Sequence, residues 1–359
     1  MSALGTLVTE RSVIVCCGSG GVGKTTVSAT FALAAARAGR RACVVTVDPA
    51  RRLADSLGVE SLPNTPTEVE GDWPGHLHAL MLDSKGTFDD LIHTYARTPE
   101  QAEGIMANRL YQNLVGALSG TQEYMAMEKL HELVESGAFD LVVVDTPPTR
   151  NALDLLDAPR RLTRFLENRL FRALLLPTRM SLRAVGLATQ ALLRTLSKVA
   201  GAEIVQDAVA FFQAFEGMEE GFRVRAGAVR RLLADPLTAY VVVTTARPDA
   251  VAEASFFAEK LTERHVAPAA LVVNRIHPHF GEPGPDRDGE GDRADRFSGP
   301  LGALEANLAD LNEVARSEDG SYAALAAQVA PAVVGRIPLF GADVHDLDGL
   351  KRTADVLFA

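Results

Sequence analysis

Cysteine is scarce in this chain: Cys16, Cys17 and Cys43 are the only three in 359 residues, and none belongs to a spaced C-x-x-C pair. All three sit in apolar runs, and so small and odd a count excludes a disulfide scaffold and points to a reducing compartment. Long apolar runs are also missing. The best candidate for a membrane span, Ala173 to Leu193, carries Arg179 and Arg183, whereas a spanning helix needs about 20 nearly uninterrupted apolar residues. Glu10 and Arg11 precede any apolar run, so the beginning of the chain reads as neither a signal peptide nor a lipidation motif. Positive charge is in deficit, with 36 Lys+Arg against 46 Asp+Glu and a formal net charge of -10. That balance argues against nonspecific nucleic-acid binding as the main role, which favours a basic surface. The expectation is a soluble, cytoplasmic chain with no nucleic-acid partner.

What is present is a strong alternation of short β-rich runs with longer helical patterns. The runs Val13–Cys17, Ala42–Asp48, Leu77–Asp83, Asp140–Thr146, Ala239–Thr245, Ala269–Arg275 and Val333–Phe340 read as strands. Most are near-continuous Val, Ile and Leu, the pattern of strands buried on both faces of a parallel sheet. The segments between them are long enough for crossover helices, so the predicted class is a doubly wound, mostly parallel α/β fold. A single domain over 1–359 is expected, with helical insertions at about 84–139 and 151–236, because those two stretches are too long for simple crossovers. Gly281–Gly299, rich in Gly, Asp, Arg and Pro, reads as a mobile, solvated loop.

The most specific signal follows the first strand. Gly18-Ser19-Gly20-Gly21-Val22-Gly23-Lys24-Thr25-Thr26 is a full G-x-x-x-x-G-K-[ST] match between a strand and a helical pattern. Glycines let backbone N–H groups turn inward around phosphate oxygens, and the helix N-terminus adds positive potential. Lys24 is predicted to neutralise the β- and γ-phosphates and the Thr25 hydroxyl to ligate Mg²⁺. Two acidic residues occur where a parallel sheet places ligands, beyond the carboxyl ends of its strands. Asp145 is expected to orient a magnesium-bound water, and Asp48 to polarise or position the attacking water. Guanine readers use N-K-x-D, whereas here the sixth run ends in Asn274-Arg275-Ile276-His277 with no such Asp. An amide can serve adenine, so ATP is expected rather than GTP.

These residues resemble the ArsA-like group, the arsenite-transport and tail-anchored-protein-targeting ATPases, and within it one member of the paired ArsA-like ATPases of actinobacteria. The loop looks like that family's deviant phosphate loop. Asp48-Pro49-Ala50-Arg51-Arg52, continuing to Gly58, resembles its first switch segment, whose leading Asp is catalytic. Asp145-Thr146-Pro147-Pro148-Thr149, continuing to Asp157-Ala158-Pro159, resembles its second. The resemblance implies adenine contacts at Asn274 and Pro338, a Mg²⁺-dependent P-loop ATPase, and a dimeric, nucleotide-gated switch.

Three departures stand beside the matches. The family's signature lysine, which reaches across a dimer to the partner's nucleotide, is replaced here by Ser19. The resemblance then implies either a hydrolysis-poor regulatory subunit completed by a lysine-bearing paralogue, or substitution by a nearby residue such as Arg51 or Arg52. No cysteine lies beyond Cys43, so arsenite and zinc thiolate sites are unsupported, and His277-x-His279 lacks a third ligand. The second switch continues Thr149-Arg150-Asn151 where the family has Gly-His.

The insertions carry a further reading. Residues 160–198 hold nine Arg or Lys and a single acidic residue, Glu167, between spaced leucines. Such a segment suits an acidic protein client or an anionic membrane surface, or else it is a helix pair with solvated arginines. The apolar groups Phe211-Phe212-Phe215-Met218-Phe222 and Tyr124-Met125-Met127 read as core packing in preference to a client groove.

Overall fold

A computed structural model describes residues 2–48, 50–109, 111–112, 121–147, 156–161, 163–164, 207, 210–211, 213–281 and 300–359. The expected loop at 281–299 lies outside these residues except for Gly281, as do most of the basic segment 160–198, Phe212 and Thr149-Arg150-Asn151. Among these residues the helices include α1 (Ala3–Glu10), α2 (Lys24–Arg37), α3 (Arg52–Leu57), α4 (Ser84–Tyr95), α5 (Pro99–Met106), α6 (Thr121–Glu135), α7 (Glu219–Leu233), α8 (Pro248–Glu263), α9 (Pro300–Gln328) and α10 (Leu347–Leu357). The strands are β1 (Val13–Cys17), β2 (Arg41–Thr46), β3 (Thr67–Glu68), β4 (His76–Met81), β5 (Leu141–Asp145), β6 (Thr238–Thr245), β7 (Ala270–Ile276) and β8 (Val333–Pro338).

All eight strands form one sheet in the order β3-β4-β2-β5-β1-β6-β7-β8. Seven are parallel; β3, a two-residue edge strand too short to show in the sequence, runs antiparallel to β4. β1, β5 and β6 are buried along their whole length, as their apolar composition requires of strands covered on both faces. β2 stops at Thr46 and not at Asp48, because its neighbours end level with it: Thr46 pairs with Met81 on one side and Asp145 on the other. Val47 and Asp48 are thereby released into the loop beyond the sheet.

Polar caps start several helices. The Asp83 and Asp346 side chains accept from Lys85 N and Gly349 N, and Thr98 accepts from Gln101 N ahead of Pro99. The apolar stripes of α1, α2 and α10 close one face of the sheet, where Leu4, Phe31, Leu33, Leu350 and Leu357 pack on Ile14, Val44 and Val143. On the other face Met127 and Leu130 of α6, Val229 of α7, Phe257 of α8 and Leu325 of α9 pack on Val15, Val142 and Val242. A third apolar cluster joins the two inserted stretches: Leu91, Ile92, Ile105 and Tyr111 meet Tyr124, Met125, Phe211, Phe215, Met218 and Phe222. The described members of the two apolar groups, Phe211, Phe215, Met218 and Phe222 with Tyr124, Met125 and Met127, are therefore core, as their helical spacing suggested.

Candidate functional site

The chain runs from β1 to β2 by skipping one position in the sheet, and that position is later filled by β5; β6 then adds on the opposite side of β1. Ligands bind at such a switch point, outside the carboxyl ends of the strands. There, an open cleft of about 800 Å³ is lined by Gly20, Gly21, Gly23, Lys24, Thr25 and Thr26, and by Asp48, Asp145, Asn274 and Pro338. The volume is in the range of small-molecule and cofactor sites.

The loop between β1 and α2 owes its shape to two glycines with different tasks. Gly23 adopts φ 94°, and a Cβ there would stand 2.2 Å from the Asn274 amide nitrogen. Gly18 directly follows the interior strand β1 beside β6, where a Cβ would meet the Val243 carbonyl oxygen at 2.2 Å. The Asn274 Nδ2 donates to the Val22 carbonyl at 2.8 Å, so this buried amide braces the loop from β7 while one side of it faces the cleft. Ser19 and Val22 do not line the main cleft; they face a smaller one of about 460 Å³ on the other side of the loop.

Lys24 opens α2 and is buried, with its ammonium donating to the Ser19 carbonyl at 2.9 Å. Burial lowers its pKa, while the nearby Asp145 and Asp48 carboxylates work against that shift. Asp145 ends β5 with 1% of its surface exposed. One of its oxygens, Oδ2, accepts from Thr25 Oγ1 at 2.7 Å and from Thr46 Oγ1 at 2.9 Å. The other, Oδ1, is buried with no hydrogen-bond partner. Burial pushes its carboxyl up to about 6, against the two hydroxyl donors and Lys24, which favour the charged form. An unpartnered carboxylate oxygen beside a threonine hydroxyl is the hard, oxygen-only donor set that suits a magnesium ion holding most of its own waters.

Asp48 is more open. Its Oδ1 accepts from Ala50 N at 3.0 Å, its own N–H donates to Thr46 Oγ1 at 3.2 Å, and its Oδ2 stands 3.9 Å from Arg52. Thr46 thus ties both acidic residues to the end of β2. Sequence reasoning missed it, although a lone hydroxyl at the end of an apolar strand was the available signal. Gln122 was missed as well: it lies at the start of α6, lines the cleft and donates to the Val47 carbonyl at 3.1 Å. It is separated from every motif in sequence, so only the fold brings it there. The His277 and His279 rings are held by Glu318 and Asp319 at 2.9 and 2.8 Å, and among the described residues no group of three or more His, Cys, Asp or Glu is arranged to hold a metal. No helix among the described residues is long and apolar enough to cross a membrane.

Residues 11–283 match the family model described as "Anion-transporting ATPase". The chain is 32% identical over 151 residues to the ATPase asna-1 of Caenorhabditis elegans, a match covering 40% of this chain and 43% of that one. It is 30% identical over 150 residues to the ATPase get3 of Aspergillus terreus, covering 42% and 43%. An uncharacterised protein of Streptomyces coelicolor is 39% identical over 169 residues, covering 47% and 41%. The matched region therefore spans less than half the length of each of these relatives.

Proposed function

The chain belongs to the anion-transporting ATPase (ArsA) family, and on that premise we propose that it is a Mg²⁺-dependent ATP hydrolase, cytoplasmic, that works as a dimeric nucleotide-gated switch on a client. The observation that carries the reading is the pairing of a buried, half-unsatisfied Asp145 with Thr25 at the mouth of a glycine loop. Backbone N–H groups of Gly20–Thr26 and the α2 N-terminus cradle the triphosphate, and Lys24 leaves the Ser19 carbonyl for phosphate oxygens. Thr25 and Asp145 would hold Mg²⁺, which would supply positive charge against the phosphates. Asp48, in the loop just beyond β2, accepts a hydrogen bond from the attacking water and aligns it. Asn274 and Pro338 both line the cleft, and the family resemblance assigns the adenine contacts to them.

ATP binding and hydrolysis by the purified protein test this directly. Lys24→Ala is expected to remove tight ATP binding. Asp48→Asn should keep binding and lower turnover by about 10²-fold or more, and full turnover in that variant removes Asp48 from the mechanism. Ser19 supports a second reading, a regulatory subunit that hydrolyses ATP only beside a lysine-bearing paralogue. Turnover that is absent alone and appears on mixing with such a paralogue selects it.

A further inference from the structure

We propose that Arg275 is a phosphate-contacting cation of this chain's own site, acting in cis at the γ-phosphate; the inference rests on the ATPase reading above. β7 is buried at every position except Arg275, the one exposed residue in its run. Arg275 has φ 58°, a left-handed backbone that non-glycine residues avoid, and His265 is the only other described non-glycine residue with positive φ. At the same point the pairing of β7 with β8 slips between Val273 and Ile276, so Arg275 stands outside the regular ladder. Bulges at strand ends beside a site re-aim side chains, and strained residues persist where the surroundings hold them for a purpose.

The direction given to the guanidinium is toward the phosphate loop. Nη1 lies 3.4 Å from the Gly21 carbonyl oxygen, the outer limit of a hydrogen bond. Arg275 lines both the main cleft and the smaller cleft that holds Ser19, so it stands on the wall between them. The other arginines of these walls are engaged or distant from the loop: Arg52 faces Asp48 at 3.9 Å and Arg247 binds Asp249 at 2.8 Å. Arg275 forms no ion pair with any described carboxylate, and its neighbour Asn274 is anchored on the same loop through Val22. A guanidinium held only by a long bond to a neutral carbonyl will exchange it for a phosphate oxygen, since charge-assisted bonds are roughly twice as strong.

In hydrolysis the water oxygen bonds to the γ-phosphorus as the bond to the β–γ bridging oxygen breaks. ADP and inorganic phosphate leave, and the proton of the water is released with them. Charge accumulates on the bridging and γ-oxygens, and a guanidinium beside Gly21 is placed to offset it. On this account the chain carries its own second cation, and neither Ser19 nor a paralogue limits it.

The test measures kcat, ATP affinity and ADP affinity for wild type, Arg275→Ala and Arg275→Lys in the full chain. We expect wild type to turn over alone, Arg275→Ala to lose on the order of 10²-fold in kcat, and Arg275→Lys to recover part of it, with ADP affinity within about threefold throughout. Mixing Arg275→Ala with Lys24→Ala should leave turnover low, because neither chain holds both cations. Wild-type kcat in Arg275→Ala overturns the inference. So does a parallel loss of ADP affinity, which would mark loop bracing, and so does rescue by Lys24→Ala, which would mark action in trans. Wild type that binds ATP but turns over only with a lysine-bearing paralogue overturns this inference and leaves nucleotide binding intact. Wild type that binds no ATP takes down the ATPase reading itself.

Discussion

Asp145 shows how a single residue can cost the fold stability for the sake of a site. Its carboxyl is raised from the ordinary 3.8 to about 6 because it is buried. Between those two values the folded chain holds a proton that the unfolded chain has released. The contribution of this group to stability is therefore lost as pH rises through about 6, and at pH 7 to 8 the folded protein carries the full penalty of a buried carboxylate. The shift corresponds to a penalty on the order of 3 kcal/mol at most. We predict that Asp145→Asn, free of metal and nucleotide, melts several degrees above wild type at pH 8, and that the gap closes below pH 5. Thermal melts in chelator at both pH values check this, and a lower melting point for the variant at pH 8 would refute it. The cysteines tell the opposite story at the same scale. Cys16 and Cys43 lie inside the sheet, where burial pushes each thiol up to about 12, and Cys17 shifts the same way. They pack as small apolar residues and take no part in the site.

At the scale of elements, the loop and the strand that braces it act as one unit. Gly23 needs both its left-handed backbone and the absence of a side chain, since the Asn274 amide occupies the space a Cβ would take. Gly21 also has positive φ, 76°, but nothing lies within 4 Å of where its Cβ would be. The two positions separate backbone strain from collision. Gly21→Ala is expected to cost about 1 kcal/mol through strain alone. Gly23→Ala must in addition displace Asn274 from Val22, so it should cost about 2–3 kcal/mol and abolish nucleotide binding. Denaturant unfolding together with ADP titration of both variants decides it, and equal losses would mean that the Asn274 contact is not what Gly23 protects.

For the whole molecule, the question is how the inserted helices are joined to the sheet. α6 runs through both regions: Gln122 touches the cleft, Tyr124 and Met125 lie in the inserted core, and Met127 and Leu130 lie on the sheet. An ionic network buried at its Glu128 end fixes α7 against it. Glu128, 1% exposed in its side chain, accepts from Tyr124 and from Arg225 Nε at 2.7 Å, and Arg225 reaches Glu135 at 2.6 Å with its other arm. Burial pushes the Glu128 carboxyl up, and the Tyr124 and Arg225 bonds hold it down. Removing Arg225 leaves that carboxylate unpaired in an apolar setting. We predict that Arg225→Ala destabilises the protein by about 3 kcal/mol. Adding Glu128→Gln to it should return much of the loss, since the uncompensated charge is then gone. If the double variant unfolds at lower denaturant than Arg225→Ala, the network is held by packing and not by charge.

The sequence alone determined what depends on neighbours in the chain. Near-continuous Val, Ile and Leu runs identified seven strands, because a parallel sheet covered on both faces leaves such strands no polar side. The spacing of glycines and Lys24 singled out the loop between β1 and α2 that lines the cleft, because local backbone geometry demands those residue types there. Asp48 and Asp145 were legible as carboxylates at or just beyond strand ends, and Lys24 from the glycine spacing ahead of it. Residues that matter through distant contacts were not: Thr46, Gln122 and the brace from Asn274 to Val22 join segments from 75 to 252 residues apart. Nor did the pattern disclose the two-residue strand β3 or the left-handed turn at Arg275, since neither has a period to read. Only the tertiary structure decided which hydroxyl meets which carboxylate and where that one arginine points, because both are set by the sheet order and by the places where adjacent strands end.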